Sequence, residues 1–128
     1  MASTSVKIQE HTSQVQFIQW CKRQGFYCSH EEFNPQKQYI GIVHSTPNAG
    51  ERSVETVRYF KEEGMLTGVA DVSVKLPSVT VEFEFKTETG KQSPKQKDYE
   101  IVCNQVGIPY YVVRNTFEAV KIMKGYIK

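Results

Sequence analysis

The sequence predicts an α/β domain, a mixed central sheet flanked by helices. Three observations carry that prediction: residues 79–86 alternate strictly between apolar and polar, several other short apolar runs alternate with amphipathic stretches, and Gly or Pro stands at most of the boundaries between them. With 128 residues the chain suits one domain, residues 1–128, with a core of its own. Hydrophobic residues make up 39% and charged residues 23%, which excludes wholesale disorder.

Taken in order, residues 1–4 are small and polar and read as a tail. Over residues 5–24 the spacing of Ile8, Val15 and Ile18, with Trp20 and Cys21 beyond, fits an amphipathic helix ended by Gly25. Residues 26–29 and 39–43 read as short strands separated by a polar stretch containing Asn34-Pro35. Residues 44–52 are rich in turn formers and predict a loop in which His44, Asn48 and Arg52 are candidates for phosphate contacts; any one of them alone is ordinary surface. A helix over residues 53–63 follows, closed by Gly64.

Residues 68–75 form a second alternating run, with Ala70, Val72, Val74 and Leu76 on one face and Asp71, Ser73 and Lys75 on the other. Leu76-Pro77-Ser78 joins it to residues 79–86 as adjacent antiparallel strands. In the second strand Val79, Val81, Phe83 and Phe85 share one face, and Thr80, Glu82, Glu84 and Lys86 share the other. An isolated Glu-x-Glu-x-Lys is more often a solvated strand face. Here the hairpin brings Asp71 within reach of Glu84, and convergent carboxylates of this kind suit a hard divalent cation.

Ser93 predicts an N-cap, Pro94 the first helical residue and Gln96 the partner in a capping box. Tyr99, Val102, Cys103 and Val106 recur at helical spacing, so this helix is expected to pack that face on the sheet and stop at Gly107. Lys91, Lys95 and Lys97 stand on or before its first turn, near Lys86; a plain solvated helix start explains them equally well. Residues 108–113 are apolar throughout, as expected of a strand in the middle of the sheet. Asn115 or Thr116 caps a last helix running to about Lys124. No internal repeat, linker or low-complexity tract interrupts the order helix, strand, strand, helix, strand, strand, helix, strand, helix.

The net charge is only +2, so any phosphate-binding surface must come from local clustering rather than an overall basic field. Cys21, Cys28 and Cys103 have no metal-ligand spacing and are expected to be reduced. No run approaches a membrane span and residues 1–6 lack a secretory core, so a cytoplasmic protein without membrane partners is expected.

Asp71 with Glu84-Phe85-Lys86 resembles the Asp…(Asp/Glu)-x-Lys signature of the PD-(D/E)XK nuclease superfamily. The flanks narrow the resemblance. Pro47-Asn48-Ala49-Gly50-Glu51-Arg52, Gly64, Gly68-Val69-Ala70-Asp71, and Gly90-Lys91-Gln92-Ser93-Pro94-Lys95-Gln96 follow in the order and spacing of the VRR-NUC domain, over most of the chain. The resemblance implies a restriction-endonuclease-like αβββαβ core and a Mg²⁺- or Mn²⁺-dependent nuclease. It places Asp71 and Glu84 as metal ligands and Lys86 as the motif lysine; on physical grounds the carbonyl of Phe85 is a further candidate ligand. Glu10, followed by Gln14, matches a glutamate that commonly joins the site from the first helix, and Gln96 matches a glutamine facing it. Glu82 shares the face and suits a second ion. Ala70 stands where relatives usually have Pro, which is not a ligand.

Short stand-alone members, many from phages and bacteria, are similar to Holliday junction resolvases. The implied substrate is four-way DNA, and two symmetric nicks imply a two-fold dimer, for which Tyr110, Tyr111 and the last helix offer nonpolar surface that core packing would use just as well. Phosphate contacts are then expected from Asn48, Arg52, Arg58, Lys91, Lys95 and Lys97. Other readings are a restriction-type, flap or nicking nuclease on the same core, or an inactive DNA-binding module.

Overall fold

The computed structural model describes residues 4–47 and 53–127. Asn48 and Arg52 lie outside the described residues. The elements are α1 (Thr4–Gln24), β1 (Phe26–Tyr27), β2 (Gly41–Ser45), α2 (Val54–Glu62), β3 (Val72–Lys75), β4 (Thr80–Phe85), α3 (Pro94–Val106), β5 (Tyr110–Val113) and α4 (Thr116–Lys124), in the order expected. They build one mixed sheet in the order β1-β2-β3-β4-β5. The pairs β1–β2 and β4–β5 are parallel, and β2–β3 and β3–β4 antiparallel. His44 and Ser45, expected in a loop, extend β2 because they pair with Ser73 and Val72.

Alternation along each strand divides the side chains between two faces. Val43, Val72, Val74, Val81, Phe83, Phe85 and Val113 meet Phe17, Ile18 and Cys21 of α1 and Ala119 and Met123 of α4 in the main core. Phe17, absent from the helical spacing read in the sequence, is fully buried against Phe83 and Phe85, whereas Ile8 remains 58% exposed. On the opposite face α3 forms a smaller cluster in which Ala70, Cys103 and Tyr110 pack with Tyr99 and Val112. Both faces of β4 are therefore covered, and Glu82 and Glu84 are buried instead of facing water.

Two expectations need correction. β5 is an edge strand, hydrogen-bonded to β4 alone; its unbroken apolar run reflects helices over both faces, which an edge position does not alter. Helix α3 packs through Tyr99 and Cys103, while Val102 and Val106 are 52% and 64% exposed. Its contact stripe is narrow because the sheet face beneath it carries carboxylates. Tyr110 is buried and Tyr111 packs on the main core, the second of the two uses the sequence left open for them. All three cysteines are free and buried. Among the described residues no helix is long and apolar enough to cross a membrane.

Candidate active site

The β3–β4 hairpin sets the geometry. Its register pairs Val72 with Phe83, and one further step places Asp71 opposite Glu84 on the face under α3. Asp71 is anchored twice: its Oδ2 accepts from the Phe85 amide at 2.8 Å, and its carbonyl accepts from the Thr46 amide at 2.9 Å. In an extended strand the N–H and C=O of one residue leave on the same side. The Phe85 carbonyl therefore also faces the Asp71 side of β4, while Lys86 N–H turns the other way to Val113.

Glu84 is 1% exposed. Its Oε2 accepts from Gln96 Nε2 at 2.8 Å and lies 3.7 Å from Lys86 Nζ; its Oε1 is buried with no partner. Burial, then the facing Asp71 carboxyl, pushes the Glu84 carboxyl up to about 9, with Lys86 opposing. Gln96 is held from both ends. Its Oε1 accepts from the Ser93 amide at 2.8 Å in the predicted capping box, and its amide nitrogen thereby points at Glu84. As a result the local start of α3 orients a carboxylate on the sheet.

Glu10 reaches the site from α1. Burial raises its carboxyl above the ordinary range, with Lys86 lowering it and Asp71 raising it. It shares a cleft with Lys86, Ser13 and Arg114. Asp71, Lys86, Lys91, Lys95 and Gln96 line a second cleft of about 390 Å³, walled by Thr46, Pro47 and residues 65–69. Lys86 thus stands between the two.

Three sequence expectations fall elsewhere. Glu82 is not open to an ion: Ser73 Oγ and Tyr99 O–H each donate to one of its oxygens, and burial together with Glu82 pushes the Tyr99 phenol up, keeping it a donor. Arg58 lies on α2 beside Val54, Val57 and Lys61, outside the cleft of Asp71. Lys97 is exposed and does not line that cleft. The hydroxyl partners of Glu82 and the 65–69 wall carry no sequence signal of their own, because they depend on which helix covers the sheet.

The donor set fits a divalent cation. Glu84 presents a buried oxygen without a partner, Asp71 faces it, and two carboxylates so placed repel unless a proton or a cation lies between them. Among the described residues no group of three His, Cys, Asp or Glu side chains is placed to hold a metal. A cation here would draw on two carboxylates, a main-chain carbonyl, water and phosphate, with Glu10 approaching from α1 beside Lys86.

No protein-family model matches the sequence, and no curated protein matches it. A solved structure described as a VRR_NUC domain protein is similar to this chain with a TM-score of 0.66 and 17% identity, over 93% of this chain and 88% of that one. At that identity the likeness speaks to architecture: this chain has the fold of a VRR_NUC domain protein.

Proposed function

We propose that the protein is a divalent-metal-dependent, structure-specific DNA endonuclease of the PD-(D/E)XK type. Its substrate in this reading is a four-way junction, cut by a two-fold dimer. The observation that carries the reading is the buried Glu84 carboxyl, one oxygen of which has no donor, facing the half-buried Asp71 beside Lys86 in an open basic cleft.

Asp71, Glu84 and the Phe85 carbonyl would hold Mg²⁺ or Mn²⁺. Bound there, such an ion supplies Lewis-acid polarisation of a phosphoryl oxygen and a lowered pKa for water. The chain's own residues do the rest. Lys86 places an ammonium where charge builds on the phosphoryl oxygens, and stabilisation of that kind is worth on the order of 10²–10³ in rate. Gln96 is a positioning residue that keeps Glu84 aimed, while Lys91 and Lys95 draw the phosphate backbone into the cleft. Glu10 tunes the field around Lys86. Exposed Ile101, Val102 and Val106 on α3, with Ile108 beyond it, support pairing of two copies.

Cleavage of labelled linear duplex, flap, nicked and four-way DNA with Mg²⁺ or Mn²⁺ tests this directly. The junction should be cut by paired nicks, and Asp71→Ala should lower the rate by roughly 10³ or more while DNA binding persists. Equal cutting of linear duplex would replace the junction assignment by a restriction-type one. A wild-type protein that cuts nothing, or an Asp71→Ala protein as active as wild type, would overturn the nuclease reading.

A further inference from the structure

The three histidines of this chain converge. His11 on α1, His30 after β1 and His44 on β2 line one cleft of about 360 Å³ between α1 and the β1–β2 side of the sheet, together with Gln14, Ser29 and Ser45. A metal cage is the first thought, but among the described residues no three such side chains are placed to hold an ion. Hydrogen-bond donation is what the polar lining shares: imidazole, amide and hydroxyl groups all donate. No Asp or Glu lines the cleft, although the chain has 14 of them.

Two further clefts lie beside it, one reached through the next residue of the chain and one through shared lining residues. At one end Ser45 leads into Thr46, whose amide holds the Asp71 carbonyl and which lines the cleft of Asp71 and Lys86. At the other, Val15 and His30 also line a third cleft, with Gln19, Lys22, Arg23, Lys37 and one carboxylate, Glu31. Lys37 is paired with Glu31 at 2.6 Å, whereas Lys22 and Arg23 have no ion-pair partner among the described residues. Cations on the last turn of a helix suit its dipole, which accounts for their presence but not for their alignment. His11, Gln19 and Arg23 fall on one i, i+4 row of α1 with the apolar Val15 between them, so two donors and a cation form an interrupted stripe along the helix. At 1.5 Å per residue that stripe spans ~18 Å, the rise of about five nucleotides of one duplex strand.

We propose that this row of clefts is a backbone track, which binds the phosphates of the DNA arm on one side of the scissile bond and leads them along α1 away from Asp71 and Lys86. The inference rests on the nuclease reading for its substrate, but its test does not depend on cleavage. Recognition here is of phosphates, without base reading.

Binding of fluorescent four-way DNA is measured by anisotropy over a salt series, in an Asp71→Ala background so that no substrate is consumed. Adding Lys22→Ala and Arg23→Ala should reduce the slope of log affinity against log salt by about 2. Adding His11→Ala and His30→Ala should weaken binding roughly tenfold. All four residues are exposed, so folding is not at stake. An unchanged slope together with unchanged affinity overturns the track, even if the wild-type protein is a nuclease. Altered slope and affinity in a protein that cuts nothing sustain the track and sink the nuclease reading; absence of any DNA binding sinks both.

Discussion

Glu84→Gln is expected to inactivate the protein and, without metal, to stabilise it at alkaline pH. Glu84 is 1% exposed with one oxygen unpartnered, and burial and Asp71 raise its carboxyl from the ordinary 4.5 to about 9. Between those values the folded chain binds more protons here than the unfolded chain does. Stability from this group is therefore fully present below about 4.5 and is lost as pH rises through about 9. Gln mimics the protonated acid: it still accepts from Gln96, donates towards Asp71, and does not titrate. Thermal melts in EDTA from pH 5 to pH 9 should show wild-type Tm falling more steeply than that of Glu84→Gln, by an amount equivalent to a few kcal/mol. Glu10 is shifted in the same sense and is present in both proteins, so the difference reports Glu84 together with its interactions with Asp71 and Glu10. Parallel melting curves would contradict the strained carboxylate pair. Cleavage should meanwhile fall by on the order of 10³.

Gly68→Ala should disable the site from outside it. Gly68 has φ +85°, and an added Cβ would stand 2.4 Å from the Lys95 carbonyl oxygen and 3.0 Å from the Gln96 amide nitrogen. Those atoms are the backbone of the first turn of α3, which cannot yield as a flexible side chain would. The turn must move, and Gln96 moves off Glu84 with it; a displacement of about 1 Å at such a site can lower the rate roughly 10²-fold. Gly64→Ala is the control, since it has φ +107° but no atom within 4 Å of the added Cβ. It should lose about 1 kcal/mol of stability by denaturant unfolding and keep its activity. Equal loss of activity in both variants would mean that backbone strain, not the contact with α3, is responsible.

These effects follow from features that the sequence revealed unevenly. The hairpin was legible: strict alternation on both sides of Leu76-Pro77-Ser78 fixes which residues face together, and register alone then opposes Asp71 to Glu84. The Ser93–Gln96 capping box was equally legible, because its partners lie three residues apart. What covers a face is not written in the strand. Alternation in residues 80–86 identified Glu82 and Glu84 as neighbours but not that α3 buries both, and so not that Ser73 and Tyr99 occupy Glu82 while Glu84 keeps a vacant oxygen. The apolar run of β5 showed burial on two faces and said nothing about edges. Lys86, Lys91 and Lys95 line one cleft as their clustering suggested, yet Arg58, chosen on charge alone, stands elsewhere.

Calorimetric titration of Mg²⁺ or Mn²⁺ at pH 8, repeated in buffers of different ionisation enthalpy, reaches the centre of the account. Wild-type protein should bind a cation and release protons as it does so, because the ion displaces the proton that Glu84 retains when folded; Asp71→Ala and Glu84→Gln should each abolish the binding. Undiminished binding by both variants, or none by the wild type, would show that these two carboxyls are not a cation site.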